Sequence, residues 1–295
     1  MPDGLLSDYT VRTVVLGSAM IGAVSGSLGC FAYLRRQSLV GDVVSHASLP
    51  GIALAFWIAH LVSMSGSSLS MWILMPGAIC AGLAALLLTR LITQRTRIKP
   101  DAGLGVMLAI FFGSGMMLLR WLQRSSPPLT GSSGLDDYLF GMAAAMTSSD
   151  LAMIAALGSI AVSAMVLSWN RLKVFTFDAE YSACLGMPVA RIELLLLTLF
   201  VIGIVIGLQV VGVVLMIALL VTPAAAARQW ARHLGPMVIL SAVVGAVCSA
   251  SGALVSAHFG LPTGPVIVIL ALAVFLVSLF VAPHRGVLFR RRTHV

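Results

Sequence analysis

Apolar runs long enough to cross a bilayer, about 20 residues each, alternate with short polar connections along nearly the whole chain. Nine of them are predicted as membrane helices, at 11–34, 42–63, 71–93, 102–122, 149–169, 191–208, 209–228, 236–257 and 264–283. The cut between the sixth and seventh rests on little, because only Gln209 and Gly212 interrupt the run from Leu194 to Val221. About 28 residues is nevertheless long for one span, so an eight-span arrangement stays open. Gly22 with Gly26, Gly203 with Gly207, and Gly245 with Gly252 recur at spacings that let helix backbones approach closely in lipid. They argue for a tightly packed bundle and say nothing about chemistry. Residues 1–295 form one transmembrane domain, with neither a soluble domain nor a clear internal repeat. The longest polar stretch, Gln123 to Asp137 with Pro127 and Pro128, is predicted as an external loop.

Composition fixes the class. Hydrophobic residues make up 59% and charged residues 9%, with a mean hydropathy of +1.05, whereas a soluble domain carries about 25% charged residues. An all-α polytopic membrane protein follows. The net charge of +8 implies no nucleic-acid surface: the chain has two lysines, Lys99 and Lys173, and the arginines fall in short loops between apolar runs. In the nine-span arrangement fifteen basic residues lie on one side, and only Arg12, Arg120 and Arg124 lie on the other. The positive-inside rule then puts the N-terminus outside and the Arg-rich C-terminus in the cytoplasm. The four cysteines, Cys30, Cys80, Cys184 and Cys248, show no CxxC spacing and suggest neither a disulfide framework nor a zinc knuckle. Met1 to Thr10 lacks a basic region and a small-residue cleavage site, so no removable signal peptide is expected.

One place brings a carboxylate and an imidazole together inside an apolar run: Gly41-Asp42-Val43-Val44-Ser45-His46-Ala47-Ser48-Leu49-Pro50-Gly51. On a helix Asp42 and His46 are four apart and share a face, one turn from each other. A divalent metal ion could bridge them. A helix break is expected near Pro50 and Gly51, since Pro50 has no N–H for the carbonyl of residue 46 and leaves that oxygen free beside the imidazole. Ionisable groups at membrane depth are costly enough to point to function. The alternative is that Asp42 caps the second span and His46 only packs.

The second informative stretch, about 171–190, lies on the basic side. Asp178 can cap a two-turn helix over 179–185, Gly186 can end it in the left-handed conformation, and Pro188 prevents continuation. Phe175, Phe177, Tyr181 and Leu185 give it more apolar surface than a solvated connector needs. Two roles are open at this point: docking in a groove of a soluble partner, or lying on the membrane interface.

These residues carry a family resemblance. Arg35-Arg36-Gln37-Ser38-Leu39-Val40-Gly41-Asp42 through Gly51 resembles the signature of ATP-binding-cassette permeases that import zinc, manganese or iron(II). Leu135-Asp136-Asp137-Tyr138-Leu139-Phe140-Gly141 resembles that family's external motif, and Phe177-Asp178 through Gly186 its coupling segment. Val211 through Ala227 resembles its late helix, and Leu261-Pro262-Thr263-Gly264-Pro265 its last hairpin.

The resemblance implies the fold shared with cobalamin and siderophore importers, in an inner-membrane permease. It implies pairing with a second permease protomer, identical or a sister chain, and cytoplasmic ATPase subunits beneath the pair. An extracytoplasmic metal-binding protein would deliver the ion. Asp42 and His46 match the pathway metal ligands, and Asp178, Ala179, Glu180, Tyr181, Leu185 and Gly186 match the ATPase contact. No permanently bound cofactor is implied, only a transported manganese, zinc or iron(II) ion. The residues themselves agree on a separate motor. A phosphate-binding Walker loop needs Gly-x-x-x-x-Gly-Lys-[Ser/Thr], and both lysines follow Ile or Leu. No nucleophile set suggests an enzyme. The rival classes are a permease for a metal chelate such as a siderophore, and a proton-coupled secondary metal transporter.

Overall fold

In a computed structural model, residues 9–62, 71–124, 146–213 and 216–282 are described, and every regular element among them is helical. The elements in order are α1 (Tyr9–Leu34), α2 (Leu39–Leu61), α3 (Met71–Arg95), α4 (Pro100–Gln123), α5 (Ser148–Leu167), α6 (Trp169–Phe177), α7 (Ala179–Cys184), α8 (Val189–Val211), α9 (Met216–Trp230), α10 (Leu234–Phe259) and α11 (Thr263–Val281). Eight of them are long and apolar enough to cross a membrane. The ninth long segment, α9, has 15 residues, about 22 Å of helix against a hydrocarbon core of about 30 Å. The expected division at 208/209 therefore moves. Helix α8 continues to Val211, and the break falls at Gly212, whose φ of 78° ends the helix.

Contacts sort the helix ends into two sets. At one end Arg35 meets Phe175, Phe31 meets Trp169, Arg90 meets Glu193 and Trp230 meets Ser278. At the other Trp57 meets Trp121, Trp72 meets Ser149, and Thr10 and Val11 line a cavity with Ser256 and Thr263. The ends of α1 and α11 thus belong to opposite faces, and α9, short as it is, runs back to the first. Nine alternating segments result among the described residues, but only eight are long enough to cross a membrane and α9 is not, which agrees with the eight-span alternative.

Helix α1 is the centre of the bundle, with Ile21, Leu28 and Phe31 fully buried, and it packs antiparallel on α10. A Cβ on Gly22 would collide with the carbonyl oxygen of Gly245, and the reverse holds as well. Four residues on, Ser241 Oγ donates to the carbonyl of Gly26 at 2.6 Å. The small-residue spacing therefore does what it does elsewhere in lipid, bringing two backbones into contact.

Around Pro50 the helix is intact, contrary to the break expected there: α2 runs from Leu39 to Leu61 through the proline. The missing N–H removes one ladder bond, and neighbouring helices hold the rest in register. A Cβ on Gly51 would strike the carbonyl of Gly77 in α3, and one on Gly115 in α4 would lie 2.8 Å from Pro50 Cδ. The proline ring packs on α4 and the next residue on α3, so this part of α2 is held between two helices. A second departure is α6, since the segment before Asp178 is a nine-residue helix, where the sequence suggested a loop. Its Leu172 and Phe175 are buried, an anchoring that two residues in a basic stretch do not reveal by periodicity.

Candidate functional site

Helix α2 begins at Leu39, three residues before Asp42, with Ser38 at the N-cap. Asp42 thus sits inside the helix and not at the cap position, which removes the simplest form of the capping alternative. Its Oδ1 lies 3.3 Å from Nε2 of His46, with the His46 and Asp42 side chains 20% and 32% exposed. Both are partly covered and partly open, as a transit site needs and a purely packed histidine does not. The His46 ring stands edge-on to Phe112 of α4, with centroids 4.9 Å apart and planes at 78°. Its Nδ1 is buried without a hydrogen-bond partner among the described residues, so Nε2 is the nitrogen presented to a ligand beside Asp42.

A separation of 3.3 Å is wide for a nitrogen–oxygen hydrogen bond. It is the span of two metal–ligand bonds of about 2.0–2.2 Å meeting at about 105°. Among the described residues no third His, Cys, Asp or Glu joins the pair. One chain offers two ligands, and a four-coordinate ion would draw the rest from water or a second chain. Gly41, next to the carboxylate, is where α9 abuts α2. A Cβ there would lie 3.3 Å from Ile217 Cγ1 and 3.4 Å from Leu220 Cδ2. The signature stretch and the late-helix stretch therefore touch beside Asp42, an adjacency that neither shows alone.

The coupling stretch forms as expected from its end signals. Asp178 accepts a hydrogen bond from the Tyr181 N–H at 2.9 Å, capping α7. Gly186 has φ 72°, and the N–H groups of Gly186 and Met187 donate to the carbonyls of Ala183 and Ser182 at 2.9 and 3.1 Å, closing the helix in a Schellman turn. Phe177, Tyr181 and Leu185 are 58%, 54% and 50% exposed, while Phe175 is 2% exposed. Three of the four apolar residues thus form an open surface. The fourth lies under Arg35, whose Cζ is 4.1 Å from its ring centroid, and it was misplaced by sequence reasoning.

Leu261 to Pro265 forms the α10–α11 turn, where Ser256 Oγ donates to the carbonyl of Leu261 at 2.6 Å. His258 stacks edge-on against Phe259, at the end of the bundle opposite α6 and α7. Residues 135–141 and most of the predicted external loop lie outside the described residues, as do the C-terminal arginines.

A model of the ABC 3 transport family matches residues 7–282 of the chain. The chain belongs to that family. A member from Treponema pallidum (strain Nichols), the zinc transport system membrane protein TroC, is 41% identical over 287 residues, covering 97% of this chain and 93% of that one. The manganese transport system membrane protein MntC of Bacillus subtilis (strain 168) is 38% identical over 283 residues, covering 95% of this chain and 63% of that longer one. Among solved structures, PsaBC from Streptococcus pneumoniae in complex with Fab superimposes with a TM-score of 0.82 at 31% identity, over 96% of this chain and 95% of that one. The family makes this an all-helical, multi-pass transport protein of the membrane, as its composition requires.

Proposed function

We propose that this chain is the permease subunit of an ATP-driven importer of a divalent transition metal, manganese or zinc, with iron(II) as a chemically similar cargo. The observation that carries the proposal is the Asp42–His46 pair, 3.3 Å apart on one face of α2 and partly open. Carboxylate plus imidazole suits these ions, and among the described residues no cysteine joins them to favour copper(I). The names of the relatives point the same way, one to zinc and one to manganese. Two protomers about a two-fold axis would place two carboxylates and two imidazoles around one ion, and the two negative charges would offset its charge. Such a site binds modestly, because it must release what it binds.

On this reading the basic end of the bundle, with α6 and α7, faces the cytoplasm of the inner membrane, and the N-terminus lies outside. The open apolar surface of α7 docks on a separate ATPase subunit. An extracytoplasmic binding protein supplies the ion at the far face. A groove of about 580 Å³ between α2, α3 and α4 is lined by apolar residues such as Pro50, Leu54, Ile58, Ile110 and Phe111. With only Ser114 and Cys80 to interrupt that lining, it offers little to grip a hydrophilic chelate, which disfavours the siderophore-type alternative.

The test is uptake of radiolabelled manganese and zinc by proteoliposomes holding the assembled complex, with Asp42→Asn and His46→Gln at wild-type abundance. The first change keeps the size of the side chain and loses its charge, and in a two-fold site each change removes two ligands at once. Uptake should fall to background in both. Near-normal uptake by Asp42→Asn would overturn the assignment.

A further inference from the structure

Arg35 is the last residue before the turn that leads into α2, and it makes two contacts with the helix preceding the coupling segment. Its Nη1 donates to the carbonyl oxygen of Phe175 at 3.3 Å, and its guanidinium lies 4.1 Å above the Phe175 ring. One helical turn earlier Phe31 stands edge-on to Trp169, with centroids 6.2 Å apart. Thus α6 is fastened to the end of α1 at both of its ends, and α7 follows one residue after α6.

The connection from Arg35 to α2 is equally tight. Gln37 N–H donates to the carbonyl of Ala32 at 3.0 Å and Arg36 N–H to that of Tyr33 at 3.1 Å, which is a Schellman turn with Arg36 at the position usually taken by glycine. Arg36 has φ 56°, the one non-glycine with positive φ among the described residues. Strain of that kind persists where surrounding structure holds it, and it points to a role. Seven positions along the chain take Arg35 to Asp42, with no slack between them. Arg35 also sits within the field of Glu193. Burial lowers its pKa, and the Glu193 carboxylate opposes that shift, while Glu193 is itself paired with Arg90 of α3 at 2.9 Å.

We propose that the Arg35–Phe175 pair is a latch that transmits movement of the coupling segment to α2, so that Arg35 is a positioning residue for the Asp42–His46 pair. A displacement of α7 pulls α6 at Phe175, and Phe175 carries Arg35 and the rigid 35–38 turn with it. The start of α2 then moves relative to α9, which it touches at Gly41. This rests on the metal-importer reading above, and the experiment separates the two.

The measurement is the number of ATP molecules hydrolysed per ion taken up by proteoliposomes containing the whole complex. Arg35→Met keeps the buried stem and loses the charge and donors. Phe175→Leu keeps the burial and loses the ring, and Arg35→Lys keeps a cation over the ring. Each of the first two should raise ATP hydrolysed per ion about fivefold or more, the effect of losing a desolvated cation–ring contact. The double variant should be no worse than either single one, and Arg35→Lys should recover part of the loss. Unchanged stoichiometry in the single variants overturns the latch, as does a double variant whose effects multiply. An Arg35→Met complex that falls apart, with Phe175→Leu and Arg35→Lys still normally coupled, also overturns it, because Arg35 is then a scaffold only. If the wild-type complex takes up neither metal, the importer reading itself is what fails.

Discussion

The coupling helix is the most sharply testable element, because six residues cannot hold a helix on their own and its two ends are visibly fixed. Of its residues only Ser182 is buried, so α7 has little tertiary support beyond its caps. Asp178→Ala removes the cap bond to Tyr181, worth about 1 kcal/mol. Gly186 adopts φ 72° in open space, where an added Cβ meets nothing within 4 Å. The cost of Gly186→Val is therefore backbone strain alone, about 2 kcal/mol for a β-branched residue in the left-handed region. Together they come to about 3 kcal/mol, or about a hundredfold in the ratio of formed to unformed α7, at about 1.4 kcal/mol per decade. If the ATPase binds only the formed helix, apparent affinity falls with the formed fraction, approaching that hundredfold because a six-residue helix is marginal in the wild type. The assay is titration of the ATPase subunit onto the permease in nanodiscs, with thermal unfolding of the permease as control. Affinity should fall in the order Gly186→Asn, Gly186→Ala, Gly186→Val, with the asparagine variant near wild type because that residue tolerates the left-handed region. The unfolding temperature should hardly move. Equal affinity for the Asp178→Ala, Gly186→Val double variant and the wild type would show that this segment is only a connector.

Other expectations follow from single contacts. Arg36→Gly should raise the stability of the permease by about 1 kcal/mol, read as the thermal midpoint, since it relieves the positive φ. Gly22→Val should destabilise by about 3 kcal/mol, at the upper end of overpacking, because its Cβ meets the Gly245 backbone. Gly105→Ala on the open face of α4 meets nothing within 4 Å and should stabilise by about 1 kcal/mol through helix propensity, a control for that comparison. Native Cys184 is exposed. In a Cys80→Ser background an impermeant maleimide should leave it unlabelled in intact cells and label it in inverted vesicles, while a cysteine introduced in place of Ser149 should show the opposite pattern.

Much of the architecture was legible because membrane helices announce themselves by length and hydropathy, and because caps are local. Asp178, Gly186 and Pro188 marked α7 to within a residue, and Asp42 and His46 fell on one face by spacing alone. What failed was decided by neighbours. Proline at position 50 reads as a break until α3 and α4 are seen to hold it. Phe175 reads as part of an exposed apolar face until Arg35 is seen above it, a contact 140 positions away in sequence. Residues 170–177 read as a loop because their helix is anchored by only two buried side chains. The cut between α8 and α9 was misplaced by about three residues because an unbroken apolar run does not show which glycine will take a positive φ. Phe112, which fixes the His46 ring, left no signal in the sequence at all.

The placement of the metal pair bears on how the proposed cycle can work. Asp42 and His46 stand three and seven residues inside α2, about 4 and 10 Å along its axis from the basic end. Their neighbours nevertheless place them at mid-depth. A Cβ on Gly82 of α3 would lie against both Val44 and Val201 of α8, and His46 meets Phe112 of α4, with Gly82, Val201 and Phe112 all near the midpoints of their helices. On the proposed cycle the ion is therefore released from mid-depth, when its ligands move apart. A short lever suffices for that step: with bonds of about 2 Å, a shift of α2 by about 1 Å against a facing protomer loosens one pair of ligands while leaving the other in place. The rigid turn at 35–38 suits such a small and defined displacement better than a flexible loop would. The turn and the coupling helix occupy one end of the bundle, and on the proposed cycle the first turns of α2 carry their displacement inward to the pair.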